Sequence, residues 1–180
     1  MSDSLVFAAL RSDRRLVVIE APAGCGKTFQ AAEFACERAS SIAPSRILIL
    51  THTHAACNVF AARIRDPRGR VEIRTIDSLI SEIATVYHLS LGLPPDPVSW
   101  ARRMGSTGFN TLASKVAALL ACNPMIATAL VQRYPLVICD EHQDSSAEQH
   151  AIAIALYDAG GTPSNFWRSY ATYIYHEELC

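Results

Sequence analysis

Short apolar runs alternate with longer mixed stretches along this chain. Residues 16–20 (Leu-Val-Val-Ile-Glu) are apolar and β-branched, the character of a buried strand. A Gly-rich turn follows, and residues 27–38 have helical composition. The same sequence of events recurs at 47–50 and 55–64, and again at 71–74 and 77–87. In the last of these, Ile80, Ile83 and Ala84 fall at helical spacing. Three prolines and a glycine within 91–97 interrupt the rhythm. Residues 100–133 are Ala-rich and helical in pattern. A continuous apolar run returns at 136–139 and ends in Asp140-Glu141, and a helix is predicted over 146–157. Alternating strands and helices are the signature of an α/β protein with a parallel sheet.

Composition narrows the class. The chain has 180 residues, half of them hydrophobic and 18% charged, which suits one domain with a real core and excludes disorder as the main state. No apolar run approaches the length of a membrane span, so a soluble, cytoplasmic protein with no membrane partner is expected. Six cysteines include no Cys-x-x-Cys pair, which fits reduced thiols better than a disulfide scaffold or a zinc site. The net charge of -1 hides a split: residues 1–138 balance at +5 and residues 139–180 at -6. The arginine cluster at 63, 65, 68, 70 and 74 reads, taken alone, as a solvated loop and strand edge.

Two motifs carry chemistry. Ala21-Pro22-Ala23-Gly24-Cys25-Gly26-Lys27-Thr28 matches a phosphate-binding loop (P-loop), with Ala21 in place of the first glycine. Glycines let the backbone N–H groups wrap the phosphates, and the helix that follows turns its positive end toward them. In that setting Lys27 reaches the outer phosphates of ATP and Thr28 offers a hydroxyl to Mg²⁺. The second motif is Asp140-Glu141-His142-Gln143-Asp144, after an apolar strand. Ligands bind beyond the carboxyl ends of parallel strands. Asp140 is therefore a candidate for the metal, Glu141 for activating water, and Gln143 for sensing the γ-phosphate. Taken alone, an acidic pair there is as well explained as the amino-terminal cap of a helix.

These two motifs resemble those of UvrD/Rep-like superfamily 1 DNA helicases, in which Asp-Glu-x-Gln-Asp follows a Walker A loop. Two further blocks agree in order. Thr51-His52-Thr53-His54-Ala55-Ala56 is similar to the family's Thr-x-Thr-Asn-x-Ala-Ala block, with His54 where asparagine is usual. Thr75-Ile76-Asp77-Ser78-Leu79 is similar to its Thr-x-x-Ser-Leu/Phe block. The resemblance implies a RecA-like P-loop NTPase lobe over 1–89 and 134–160, with 90–133 as a small inserted helical subdomain and 161–180 as a divergent or truncated tail. It implies that Thr51, His52, Thr53, Thr75 and Ser78 line a path for single-stranded DNA. Hydroxyls suit that role because they bond phosphate and sugar without reading sequence. His52 suits stacking on a base and internal packing equally, and Ser78 or Asp77 is an alternative as a plain helix cap.

The sequence departs from the family at both ends. No glutamine lies between Met1 and Glu20, where the family reads adenine, and Phe7 is the one stacking candidate there. The family's next strand, ending Gly-Asp-x-x-Gln, and its second lobe with γ-phosphate arginines have no counterpart in 145–180. The expectation is a lobe truncated before that block, which binds nucleotide better than it hydrolyses it unless a partner chain supplies the second lobe. In a RecA-like sheet the missing strand lies between the P-loop strand and the Asp140 strand, and residues 171–175 are predicted to fill that slot. The alternatives are another P-loop enzyme, such as a kinase, or a non-hydrolysing nucleotide-dependent DNA-binding module.

Overall fold

The structure is a computed structural model; it describes residues 3–12, 15–19, 26–42, 44–66, 68–160 and 168–171, and for 3–5 and 168–171 the backbone alone. Five strands form one parallel sheet: β1 (Leu16–Val18), β2 (Ile47–Thr51), β3 (Val71–Thr75), β4 (Leu136–Cys139) and β5 (Arg168–Ala171), in the spatial order β1-β5-β4-β2-β3. Among the described residues eight α-helices surround it: α1 (Asp3–Leu10), α2 (Lys27–Ala39), α3 (His54–Arg63), α4 (Ile76–Val86), α5 (Pro97–Met104), α6 (Ser106–Cys122), α7 (Pro124–Arg133) and α8 (Ala147–Ala159).

The predicted slot is filled, but earlier in the chain than expected. β5 pairs with β1 on one side and β4 on the other, with Ser169 opposite both Leu16 and Val137. Of the predicted 171–175 stretch, Ala171 ends β5 and 172–175 lie outside the described residues. The physical demand was correct: an empty slot would leave two rows of backbone groups unpaired in mid-sheet.

Alternation along the central strands builds two cores. Ile47 and Ile49 on β2 and Leu136 and Ile138 on β4 face α1, α2 and α3. Leu48 and Leu50, with Val137 and Cys139, face α4 to α8. Successive side chains on a strand point to opposite faces, so a run apolar at every position is what a strand covered on both sides requires. Each such Leu or Ile, buried to 2% exposure or less, contributes about 1.5–3 kcal/mol. The β1 edge is less covered: Val17 is buried while Leu16 and Val18 are each 41% exposed.

Residues 97–133 form three helices, not one continuous stretch. Asp96 caps α5 by accepting from Ser99 N (2.9 Å), with Pro97 in its first turn. Pro124 restarts the chain as α7. At Gly108 the α6 backbone lies so close to α5 that a Cβ would sit 2.4 Å from the Ala101 oxygen. These helices share one apolar cluster with β2, β4, α4 and α8. No single described helix is long and apolar enough to cross a membrane. Helix α1 was not foreseen, because its apolar residues (Leu5 to Leu10) run nearly without a break and show no helical period.

Candidate functional site

A parallel sheet sends every strand's carboxyl end to one edge, so the corners after β2, β3 and β4 meet there, beside the start of α2. The corners after β2 and β3 follow one plan. Thr53 caps α3 by accepting from Ala56 N, and Thr75 caps α4 by accepting from Ser78 N, both at 3.1 Å. The cap at the second corner is therefore Thr75, not Ser78 or Asp77. A capping hydroxyl uses a lone pair and keeps its own hydrogen to donate. Thr51 is different. It is 1% exposed, and its hydroxyl donates to the Thr53 carbonyl (3.1 Å) beside Cys57 Sγ (3.0 Å). Its side chain shapes the turn from inside instead of facing a ligand. Ser78 is half-buried, and its Oγ accepts from Arg74 (3.1 Å), which also donates to the Ser78 carbonyl (3.0 Å).

Of the phosphate-loop residues, Ala21, Pro22, Ala23, Gly24 and Cys25 lie outside the described residues. Gly26 takes a left-handed backbone (φ 72°) just before α2, a conformation glycine adopts without steric cost. Lys27 begins the helix and is buried, and Thr28 beside it is half-buried. No acidic residue occupies the first turn of α2, so the positive end of the helix dipole is not offset there by a carboxylate.

The corner after β4 is built on another plan. Asp140 is 6% exposed, and its N–H continues the sheet pairing to the Leu50 carbonyl (2.9 Å). Burial, and next the charge of Glu141, push its carboxyl up from 3.8 to about 6, while the Lys27 charge pulls it down. Glu141 has φ 52°, and it is the one residue other than glycine with positive φ among those described. Backbone strain of this kind concentrates at functional sites. The chain then makes a single 3₁₀ turn, His142–Asp144, and Gln143 Nε2 donates to Glu141 Oε2 at 2.6 Å. The helix-cap explanation of the acidic pair fails. Ser146 caps α8 in a capping box with Gln149, and the Glu141 side chain makes no capping bond.

Sequence reasoning missed a polar chain beside this loop. Ser145 Oγ lies 3.1 Å from His52 Nε2 and 3.0 Å from His142 Nδ1, and His142 Nε2 lies 2.9 Å from His150 Nδ1. His52 is therefore tied to protein through one ring nitrogen. Burial, followed by the charges of His150 and His52, lowers the His142 imidazole from 6.5 to about 4. No signal in the sequence marked these residues as a group, since His52 and His142 are 90 positions apart in variable slots of their blocks.

A metal ion would need help from a ligand here. Among the described residues, no group of three or more His, Cys, Asp and Glu side chains is placed to hold one. Magnesium commonly takes one or two protein oxygens and completes its shell with phosphate and water, which Thr28 and Asp140 fit. The chemistry available is a lysine and a helix start for an anion, a buried carboxylate for a cation, and a second carboxylate held in a strained turn.

The family model of the UvrD/REP helicase N-terminal domain matches residues 5–100, just over half of the chain. That stretch contains the motif at 21–28 and the corners after β2 and β3, and it ends before the acidic loop. No curated protein matches the chain.

Proposed function

The chain belongs to the family of UvrD/REP helicase N-terminal domains, and from that premise we propose that it is an ATP-binding motor lobe that couples nucleotide hydrolysis to movement on single-stranded DNA. The observation that carries the reading is the burial of two groups of opposite charge, Lys27 and Asp140, at the carboxyl edge of the sheet, close enough for the Lys27 charge to act on the Asp140 carboxyl. A magnesium nucleotide offers phosphate oxygens to the first and a cation to the second.

The roles follow from the motifs. In this reading residues 21–26 would supply the phosphate loop, Lys27 would hold the outer phosphates, and Thr28 and Asp140 would hold Mg²⁺. Magnesium, when bound, neutralises charge on the phosphate oxygens. Glu141 accepts the proton of the attacking water, and Gln143, bonded to that carboxylate, orients it and senses the γ-phosphate. The strained turn at Glu141 sets the direction of its carboxylate. Thr53, Thr75 and Ser78 line the DNA path with His52 at its wall, and Thr51 supports the turn from beneath. Residues 1–89 and 134–160 make the motor lobe in this reading. The strand Arg168–Ala171 joins its sheet, and 90–133 stand where the family inserts helices. A second lobe from a partner chain would close over the same edge, in the cytoplasm.

The test is equilibrium binding of a fluorescent ATP analogue with magnesium, followed by ATP hydrolysis with and without oligo(dT). Lys27→Ala is expected to abolish nucleotide binding. Glu141→Gln is expected to keep the affinity within a few-fold and to cut turnover by about 10²-fold or more, the usual weight of a general base. Hydrolysis that ignores oligo(dT) would point to a different P-loop enzyme. Binding of both ligands with no turnover would point to a non-hydrolysing module.

A further inference from the structure

The short segment 145–150, directly after the acidic loop, reaches that loop and the corners after β2 and β3. Ser145 Oγ bridges His52 after β2 and His142 in the acidic loop. Gln149 Nε2 donates to Asp77 Oδ1 in the first turn of α4 (2.8 Å). His150 closes on His142 from the other side. Capping of α8 does not require these bonds. The box is completed by Ser146 Oγ and by Gln149 Oε1, which accepts from Ser146 N (2.9 Å) and leaves the Gln149 amide hydrogens for Asp77.

We propose that segment 145–150 is a positioning element that couples the two ligand sites: nucleic acid seated on the corners after β2 and β3 sets the geometry of the acidic loop through Ser145 and Gln149. The proposal rests on the functional reading above. Its physical basis is the hydrogen count at Ser145. One hydroxyl faces two ring nitrogens and has one hydrogen, so it donates to one ring and accepts from the other. A ligand that turns the His52 ring forces the hydroxyl to re-pair, and His142 must follow. His142 is the residue next to Glu141, whose backbone is already strained. The hydroxyl has two discrete arrangements, which is what a coupling element needs. Ser145, Gln149 and His150 touch neither ligand in this scheme and act through their neighbours.

The experiment measures the affinity of the full 180-residue chain for labelled oligo(dT), by fluorescence anisotropy. It is done with and without the magnesium complex of a β,γ-imido ATP analogue. The ratio of the two affinities is the coupling factor, expected at about fivefold or more in the wild type, the lower end of allosteric couplings. Ser145→Ala is expected to leave each ligand's separate affinity near wild type and to bring the factor to about one. Ser145→Thr, which keeps the hydroxyl, restores it. Asp77→Ala, an exposed change that cuts the other tie, lowers the factor and serves if Ser145→Ala fails to fold. A full coupling factor in the Ser145→Ala or Asp77→Ala protein overturns the proposal. So does a wild-type factor of one with both ligands bound, which leaves the motor-lobe reading intact. A wild type that binds neither ligand overturns both.

Discussion

The corners after β2 and β3 leave the same sheet edge as the corner after β4, yet they are built from opposite materials. At the first two, a threonine caps the helix through a local bond, and no described residue of the turn has a positive φ. At the third, a carboxyl is buried without a carboxyl-directed cap, the next residue is left-handed, and a 3₁₀ turn intervenes before the helix starts. The capped corners stabilise the fold by themselves. The acidic corner costs stability that the rest of the protein must supply. Sites that violate local rules in this way are where function is expected.

The sharpest way to break that contrast is Asp140→Asn. A carboxyl raised from 3.8 to about 6 favours the fold when protonated. Its contribution is full below about pH 4 and is lost as pH rises through 6. The amide variant is therefore expected to be more stable than wild type by about 3 kcal/mol at pH 8, at 1.36 kcal/mol per unit, with little gain at pH 4. Denaturant unfolding at the two pH values measures it, and equal stability at pH 8 would remove the claim that this corner is costly. His142 runs the other way. Lowered from 6.5 to about 4, its neutral form stabilises the fold above 6.5, and that stability is lost as pH falls through 4. Between about pH 4 and 6 the two slopes oppose each other, so Asp140→Asn should also expose a rise of stability with pH that the wild type masks.

Smaller changes test the same contrast. Thr75→Ala removes a buried cap and is expected to cost about 1–2 kcal/mol in unfolding free energy. Glu141→Gly relieves the left-handed backbone and should gain about 1 kcal/mol, with nucleotide turnover lost. An Ala variant at that position, which keeps the strain, should show no such gain. Thr53→Ala, at an exposed cap, is expected to cost about 0.5–1 kcal/mol, the least of the set. If Thr53→Ala and Thr75→Ala leave stability unchanged, the two kinds of corner do not differ in the way proposed.

Much of the fold was legible in one dimension. Residues 47–50 and Leu136–Cys139 are apolar at every position, and only a strand covered on both faces accepts that. The helix α4 was visible in its spaced isoleucines, and its buried face includes Ile80, Ile83 and Ala84 as predicted. Parallel order followed from alternation. The filling strand was foreseen from the demand for backbone pairing, but its register was misplaced toward 171–175, because aromatic and β-branched residues there carry a stronger strand propensity than Arg168–Ala171. Propensity ranks segments, and the sheet selects whichever one reaches the slot.

The sequence by itself determined the order of elements, the two-sided core and the motifs that carry charge, because these depend on local spacing and residue type. Tertiary structure decided how deeply the threonine hydroxyls lie: Thr51 and Thr75 are buried and Thr53 is exposed. It decided that Asp140 lies buried, where the charge of Lys27 acts on its carboxyl. It alone brought His52, Ser145, His142 and His150 into one chain. Hydrogen-bond partners and desolvation depend on what packs across the fold from residues far away in sequence, and no local pattern encodes that.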